Sequence, residues 1–474
     1  MSLSRRSFLT RSSAVTAAFS ALPLLGACTQ RSEPGYLNEV EGFGALRRDP
    51  RGLFDLPSGF DYQVFSATGE EMDDGLLVPA DHDGMAAFPG PDGLITLVRN
   101  HELGPNETDV SPFGPNNERF GLVDPSFVYD FRDDGLPFPG GTTTLHIDPV
   151  LRQPVRQFLS LVGTDRNCMG GPTPWGSWLT CEETLGRAGE TGRLDHGYAF
   201  EVPSSAMGLV EPLPLRSMGR FKREAVAVDP TSGIVYQTED DRPSLITRFV
   251  PDRPGELWRG GRLQALAVIG RPSLNTFNWP GSSEVVGVGE DLQVQWMDVD
   301  AIHNPENDMA VRMIDAGATS FTRGEGMWFG NGEVFFACTD GGPSEIGQIW
   351  RYRPSIHEGY DRESEAPGTL SLIYEAGDVR LMEKCDNITV APWGDLIVVE
   401  DGDDEQFIRG VTPQGEVYTL GRNASPDSSG EYSEICGPCF SPDGSILFFN
   451  VQNGPGQTFA VTGPWAQRSQ RPVS

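Results

Sequence analysis

The sequence has 474 residues, in which 36 Lys and Arg stand against 67 Asp and Glu, and its formal net charge at pH 7 is −31. This charge excludes nucleic acid as a partner, because nucleic-acid binders present a basic face. It also opposes the binding of an anionic substrate, unless bound cations reverse the sign of the field locally.

The first 30 residues predict an export signal. Residues 4–9 (SRRSFL) fit the twin-arginine pattern, and residues 14–27 form an apolar stretch too short to span a bilayer. Twin-arginine export carries folded proteins, often with a metal already loaded, so the signal favours a metalloprotein in the periplasm or outside the cell. Residues 25–28 (LGAC) resemble a lipobox, which would place a lipid anchor on Cys28. Ordinary cleavage nearby is the alternative.

The rest of the chain, residues 31–474, predicts one all-β catalytic domain. It is rich in Gly and Pro, with short apolar runs separated by turn residues. One unit recurs six times: an acid or amide, an apolar strand, a tight turn, a second apolar strand and further polar residues. The units begin at Asp83, Asn167, Glu224, Glu325, Asp386-Asn387 and Glu434. Six such hairpins predict a six-bladed β-propeller with insertions.

The polar residues at the ends of these hairpins predict a metal site. The two strands of a hairpin are antiparallel, so residues that precede the first strand and follow the second lie at the same end. The residues that come after the second strands are His101-Glu102, Cys181-Glu182-Glu183, Glu239-Asp240-Asp241, Asp340, Glu400-Asp401 and Asn450 to Gln452. In a radial arrangement these acids crowd one mouth of the channel and repel one another unless they bind protons or cations. Acidic strand ends that are merely solvated are the alternative.

The histidines, the cysteines and one arginine indicate which metals and which substrate group the predicted site would bind. The six histidines include no pair with the spacing of a helical zinc motif, so carboxylates are the expected ligands. Oxygen ligands suit calcium, and carboxylates joined by one thiolate suit ferric iron or zinc. Cys181 is the thiol we predict as a ligand, with a buried structural cysteine as the alternative. Arg323, two residues before Glu325, offers a fork of donors for phosphoryl oxygens, or else forms a simple surface pair.

Several segments resemble the PhoX family of alkaline phosphatases over nearly the whole chain. The segments are residues 56–60 (LPSGF), 82–88 (HDGMAAF), 100–102 (NHE), 140–144 (GGTTT), 175–183 (WGSWLTCEE), 219–221 (GRF) with Glu224-Ala225, 323–326 (RGEG), and 437–438 (GP) with 441–444 (SPDG). The resemblance implies a monomeric exported propeller that hydrolyses small phosphate esters. It further implies two Fe3+ and two or three Ca2+ at the channel mouth, with an oxygen that bridges metals as the nucleophile.

The resemblance also implies residue roles. Cys181, Glu224 and Glu325 correspond to iron ligands, and Arg323 to a phosphate contact that acts in catalysis together with Glu325. Calcium ligands are expected among Glu182, Glu183, Glu239, Asp240, Asp386, Asn387, Glu400, Asp401 and Glu434. This chain departs from the family at Arg223, where a histidine is common.

Two other functions remain open at this point. One is a calcium-dependent lactonase or esterase on the same scaffold, which would need neither Cys181 nor Arg323. The other is a binding propeller without catalytic activity, which would hold no metal after purification.

Overall fold

The structure is a computed structural model and describes residues 35–427, 429–454 and 456–469. Contacts gather residues Tyr36–Ser474 into one compact unit. The predicted export signal and Cys28 lie outside the described residues. Within those residues, no helix is both long and apolar enough to cross a membrane.

The described chain is mainly β-structure with few, short helices. The first thirteen strands are β1 (Leu46–Arg47), β2 (Phe54–Pro57), β3 (Asp61–Phe65), β4 (His82–Pro89), β5 (Ile95–His101), β6 (Gly140–Asp148), β7 (Gln153–Thr164), β8 (Asn167–Pro172), β9 (Ser177–Glu182), β10 (Ala199–Pro203), β11 (Arg223–Val228), β12 (Val235–Glu239) and β13 (Thr247–Pro251). The others are β14 (Gly261–Val268), β15 (Asp291–Asp298), β16 (Gly324–Gly330), β17 (Glu333–Cys338), β18 (Gln348–Arg353), β19 (Thr369–Glu375), β20 (Cys385–Val390), β21 (Leu396–Glu400), β22 (Phe407–Val411), β23 (Val417–Asn423), β24 (Ile435–Phe440), β25 (Leu447–Val451) and β26 (Gln457–Thr462).

Helices occupy short connections. The α-helices are α1 (Met309–Asp315) and α2 (Ala466–Ser469). The 3-10 helices are Pro91–Gly93, Thr108–Val110, Phe120–Leu122, Pro125–Phe127, Arg216–Met218, Leu257–Arg259 and Glu363–Glu365.

All six predicted hairpins are present as antiparallel strand pairs. They are β4–β5, β8–β9, β11–β12, β16–β17, β20–β21 and β24–β25. The first strands are buried on both faces, as in β11 (REAVAV), where every residue is buried. Burial on both faces explains why these strands read as apolar runs without the alternation of a half-exposed strand.

Hydrogen bonding joins the strands into five sheets, which differs from the prediction of six separate blades. The strand orders are β1-β2-β23-β22-β21-β20, β10-β9-β8, β11-β12-β13-β14-β15-β19-β18-β17-β16, β24-β25-β26-β3 and β4-β5-β6-β7. The nine-stranded sheet holds two of the predicted hairpins, because β15 pairs with β14 on one side and with β19 on the other. Strand β3 pairs with β26, so the beginning of the domain completes the sheet formed by its end. The arrangement of sheets is propeller-like.

The first strands of the six hairpins follow one another in a closed order. Strand β4 packs against β8, β8 against β11, β11 against β16, β16 against β20, β20 against β24, and β24 against β4. Their backbones approach closely: a Cβ atom on Gly84 would lie 2.5 Å from Cα of Met169, and one on Gly326 would lie 2.5 Å from Cα of Asn387. Glycine is therefore required at both contacts. The starting ends of the six strands lie together, and we call this end the mouth.

Candidate metal centre

A β-bulge lies near the start of each first strand. In every hairpin, two residues of the first strand stand opposite one residue of the second. Such a bulge re-aims a side chain. In five hairpins the first bulge residue carries a metal-ligating group: Asp83, Cys168, Glu224, Glu325 and Asp386. All five side chains are buried, and together we call them the inner ligands. The sixth bulge holds Gly437 and Pro438.

A second set of residues follows directly after the second strands. The backbone N–H of each donates to the carbonyl of the residue just before the corresponding first strand. The six bonds run from Glu102 to Asp81 (2.8 Å), Glu183 to Arg166 (2.9 Å), Asp240 to Lys222 (3.0 Å), Thr339 to Arg323 (3.1 Å), Asp401 to Lys384 (3.0 Å) and Gln452 to Glu434 (3.3 Å). This repeated bond gives equivalent positions in all six hairpins. The acids among the donors surround the inner ligands.

The two sets enclose a cavity of about 220 Å³. It is lined by Asp83, Glu102, Cys168, Glu183, Glu224, Asp240, Arg323, Glu325, Thr339, Asp386, Asp401 and Glu434. Nine carboxyl groups and one thiol thus share a small space with one guanidinium group. This composition favours the binding of cations.

Three groups of side chains are close enough to share a cation. The groups are Asp83 with Glu102 and Cys168, Cys168 with Glu183 and Glu224, and Glu224 with Glu325 and Asp386. Within each group the ligand atoms lie within 4.8 Å of one another. Cys168 belongs to the first two groups and Glu224 to the last two. Three adjacent cation positions would therefore share ligands.

The pKa values of the carboxyl groups in the cavity show that their ionised forms are unfavourable without a bound cation. Burial raises the pKa of Asp83, Glu224, Glu325 and Asp386 well above their ordinary values, and neighbouring carboxylates raise it further. Burial, with Asp240 and Glu102 beside it, raises the pKa of Glu183 to about 8. Without cations, burial and mutual repulsion thus favour the protonated form of these groups. Bound cations would replace the protons, since the donors are the hard oxygens that calcium and ferric iron prefer.

The Cys168 thiol fits this ligand set. Burial raises its pKa well above the ordinary value, and the charges of Glu102 and Glu224 raise it further. In the structure the thiol donates to Oε2 of Glu183 over 3.4 Å. A metal ion would deprotonate such a thiol on binding. Carboxylates joined by one thiolate suit a transition metal better than calcium alone.

Arg323 is the basic residue of the cavity. Its Nε and Nη2 atoms donate to the two carboxylate oxygens of Asp240 over 2.8 and 3.0 Å. Nη2 also lies 2.8 Å from Oε1 of Glu325. Burial alone would lower the pKa of Arg323, but Glu325 and Asp240 raise it on balance. The guanidinium group therefore stays charged and is held in place by two acids.

Cys181 lies outside the cavity, contrary to the predicted ligand set. It stands on β9 opposite the bulge that contains Cys168, and it packs in a hydrophobic cluster with Leu179 and Val226. Burial raises its pKa to about 12, so it is a neutral thiol. Cys168 lines the cavity instead of Cys181, because the bulge turns the residue on the first strand towards it.

Three of the acids predicted as metal ligands do not line the cavity, but the next residue in the sequence after each of them does. Glu182, Glu239 and Glu400 are the last paired residues of their strands, and their successors Glu183, Asp240 and Asp401 line the cavity. Alternate residues of a strand face opposite sides, so a shift of one position moves a side chain to the other face.

These three acids have structural partners instead. Glu182 accepts from Nδ1 of His196 over 2.7 Å, and Glu400 accepts from Nε of Arg409 over 2.8 Å. Glu239 accepts from the backbone N–H of Leu245 over 3.1 Å.

Asn387 also lies outside the cavity. It is the second residue of its bulge, and its Oδ1 accepts from the backbone N–H of Gly437 over 2.7 Å. Its side chain thus ties β20 to β24.

The remaining predicted site residues do line the cavity. They are Glu183, Glu224, Asp240, Arg323, Glu325, Asp386, Asp401 and Glu434. The structure adds Asp83 and Glu102, which belonged to the predicted acidic mouth but not to the ligand set, together with Cys168 and Thr339. The sequence signal for Cys168 is its position one residue after Asn167. Aligning the repeats on the bulge places Cys168 in register with Asp83.

Comparisons with known proteins give a family match and a similar fold. The family model described as "Alkaline phosphatase PhoX" matches residues 41–126 and 140–456. Among solved structures, Pseudomonas fluorescens PhoX in complex with vanadate, a transition-state analogue, is 18% identical with a TM-score of 0.63, and the match covers 87% of this chain and 96% of that one.

More distant structural matches include two other enzymes. Virginiamycin B lyase from Staphylococcus aureus is 12% identical, with a TM-score of 0.38, over 85% of this chain and 99% of that one. A gluconolactonase from Xanthomonas campestris is 11% identical, with a TM-score of 0.37, over 90% and 99%. No curated protein matches the sequence.

Proposed function

The chain belongs to the alkaline phosphatase PhoX family, and on that premise we propose that the cavity at the mouth is where it hydrolyses phosphate monoesters. One observation carries the assignment to this site. A charged guanidinium fork lies among nine carboxyl groups and one thiol, in a cavity of about 220 Å³. Phosphoryl recognition needs both cations and directed donors, and this cavity offers ligands for the first and Arg323 for the second.

We propose two Fe3+ and two or three Ca2+ as the resident ions. Cys168, Glu224 and Glu325 are the proposed iron ligands, since one thiolate joined by buried carboxylates suits a transition-metal ion. The proposed calcium ligands are Asp83, Glu102, Glu183, Asp240, Asp386, Asp401 and Glu434. When bound, these ions would neutralise the acids, polarise the phosphoryl group and stabilise the charge that develops on the leaving oxygen.

The protein's own residues position the substrate. Asp240 and Glu325 engage Nε and Nη2 of Arg323, whereas Nη1 makes no hydrogen bond to a described residue. We propose that Nη1 donates to a non-bridging phosphoryl oxygen while the two acids fix the plane of the guanidinium group. A fork held in this way loses little conformational freedom when substrate binds.

Family membership also supports proposals on the blade number, the export route and the oligomeric state. We propose that the nine-stranded sheet consists of two blades, β11–β14 and β16–β19, joined through β15, so that the domain over residues 31–474 has six blades. We further propose twin-arginine export to the periplasm or the cell exterior, a monomer, and either a lipid anchor on Cys28 or cleavage nearby.

The test is turnover of p-nitrophenyl phosphate and of a lactone by the purified exported protein, with iron and calcium measured on the same sample. We expect phosphatase activity with both metals bound. Activity on the lactone alone would instead support the calcium-dependent lactonase. A folded protein with neither metal nor activity would support the binding propeller.

Arg323→Ala tests the proposed role of the guanidinium group. The variant removes a charge-assisted donor to the phosphoryl group, so we expect kcat/KM to fall by about two orders of magnitude. Iron and calcium content should stay near that of the wild type, because Arg323 is not a ligand. Arg323→Lys keeps the charge but loses the fork and should recover only part of the activity. Wild-type kcat/KM in Arg323→Ala would refute this role.

A further inference from the structure

The residues just before the first strands form a charged rim around the mouth. Their carbonyls accept the six equivalent hydrogen bonds described above, so they occupy equivalent positions. In four successive hairpins this residue is basic: Arg166, Lys222, Arg323 and Lys384. In the other two hairpins, the sixth and the first, which are adjacent in the closed order, the equivalent residue is acidic: Glu434 and Asp81. The rim is therefore polarised.

The basic side of the rim is accessible. The side chains of Arg166 and Lys222 are 49% and 38% exposed. Nη1 of Arg166 lies 3.2 Å from Oε1 of Glu102, and Nζ of Lys222 lies 3.3 Å from Oδ2 of Asp241. These cations are placed to attract the dianionic phosphoryl end of a substrate towards Arg323.

A second cavity opens over the sixth hairpin, on the acidic side. It has a volume of about 290 Å³ and shares Asp401 and Glu434 with the first cavity. Its other lining residues are Ser425, Asp427, Glu431, Tyr432, Ser433, Gln452, Asn453 and Gly454. None of these ten described residues is Arg, Lys or His. A substrate bound at Arg323 could thus extend into a cavity of different chemistry.

The second cavity is lined by four carboxyl groups beside neutral hydroxyl and amide groups. Ionised carboxylates accept hydrogen bonds and cannot donate them. Asp427 is held in its loop by Ser429, whose Oγ donates to it over 2.6 Å. Glu431 is exposed, and its side chain makes no hydrogen bond or ion pair to a described residue. A ligand group with ammonium donors is attracted by the carboxylates of Asp427 and Glu431, whereas a second phosphate or a carboxylate is repelled by them.

We infer that the second cavity receives the alcohol part of the phosphate ester and selects neutral or cationic alcohols over anionic ones. The phosphoryl group lies under the basic side of the rim, and the leaving group points over Glu434 towards Glu431. This inference rests on the proposed function, because it assigns the two ends of a substrate to the two cavities.

The test compares two esters of similar size, phosphoethanolamine and phosphoglycolate, as substrates of the metal-loaded full-length enzyme. At about pH 8 the amine of the first is protonated and the carboxylate of the second is ionised. We expect kcat/KM to favour phosphoethanolamine by about tenfold or more. Glu431→Lys should reduce this preference by about fivefold or more, the effect expected from reversing one exposed charge near the ligand. Added salt should weaken the wild-type preference.

The control is Glu211→Lys, which makes the same charge reversal at an exposed acid that lines neither cavity. It should leave the preference unchanged. Hydrolysis of both esters with equal kcat/KM, or an unchanged preference in Glu431→Lys, would overturn the inference and leave the phosphatase assignment intact. Loss of calcium together with equal losses on both esters in Glu431→Lys would overturn it too, since Glu431 would then hold a cation. Hydrolysis of p-nitrophenyl phosphate but of neither ester by the wild type would overturn the inference alone. Hydrolysis of none of the three would instead overturn the proposed function.

Discussion

At the scale of single residues, the cysteines of one hairpin show how local geometry assigns chemistry. Cys168 and Cys181 are both buried and stand on opposite sides of the same bulge. One faces a cluster of acids, and the other faces Leu179 and Val226 in a hydrophobic cluster. Their residue type and burial are alike, so only the bulge separates a candidate ligand from a core residue.

The two cysteines give a matched pair of variants. Cys168→Ser replaces a thiolate with a neutral hydroxyl in the cavity, so iron content and phosphatase activity should fall together while calcium is retained in part. Cys181→Ser places a hydroxyl in an apolar cluster and should lower stability by about 1 to 3 kcal/mol without changing metal content. Metal analysis and thermal melting of both variants check this. The reverse pattern would restore Cys181 as the ligand.

The sequence predicted the acidic mouth but not which acid of each pair lines it. Glu182-Glu183, Glu239-Asp240 and Glu400-Asp401 each place two acids at a strand end, and composition does not distinguish them. The side-chain period of a strand is two residues, so the choice depends on the pairing register. That register includes a bulge, and a bulge becomes visible only when both strands are paired.

At the scale of elements, Glu182 and Glu183 perform different tasks at the end of β9. Glu182 is buried and accepts from Nδ1 of His196 and from the backbone N–H groups of Asp165, Gly197 and Tyr198 over 2.7 to 3.1 Å. Burial alone would lower the pKa of His196, but Glu182 and Asp130 raise it to about 10. This network connects β9 with the segment that leads into β10.

We therefore expect opposite results from Glu182→Gln and Glu183→Gln. Glu182→Gln removes the charge of one of the two carboxylates that face a buried imidazolium and should lower the free energy of unfolding by about 3 kcal/mol, with metal content unchanged. Glu183→Gln removes a carboxyl group that repels Asp240 once it is ionised, so above about pH 8 it should raise the melting temperature of the metal-free protein, and it should lower metal content and activity. Thermal melting with and without chelator, together with metal analysis, distinguishes the two. Equal metal loss in both variants would contradict this division of roles.

At the scale of the whole molecule, the repeat was readable because every hairpin has the same apolar and turn pattern. The joining of two hairpins into the nine-stranded sheet could not be predicted from the repeat. It depends on β15 (DLQVQWMD), which lies in an insertion between repeats and pairs with strands on both sides. The pairing of β3 with β26 joins residues almost 400 positions apart, and no local pattern marks it. Local periodicity thus predicted the hairpins, whereas non-local pairing decided the sheets.

The concentration of acids at one mouth predicts how stability depends on pH and metal. In the metal-free fold, burial raises the pKa of Glu183 to about 8 and that of Asp81 to about 7, from ordinary values of 4.5 and 3.8. The folded state therefore binds more protons than the unfolded chain between these limits. The stability that these groups contribute to the metal-free protein is fully present below about pH 4 and is lost as pH rises to about 8. The net charge of −31 adds self-repulsion in the same direction.

Bound cations should reverse this trend, because metal affinity increases as the acids lose their protons. We expect the chelated protein to melt at a lower temperature than the loaded one by about 10 °C or more at pH 8, and the difference to be small near pH 5. Thermal melting at several pH values, with and without chelator, measures both curves. Neutralising three of the acids, as in Glu224→Gln/Glu325→Gln/Asp386→Asn, should flatten the pH dependence of the metal-free protein. A gap between loaded and chelated protein that narrows with rising pH would show that the mouth does not hold cations through these carboxylates.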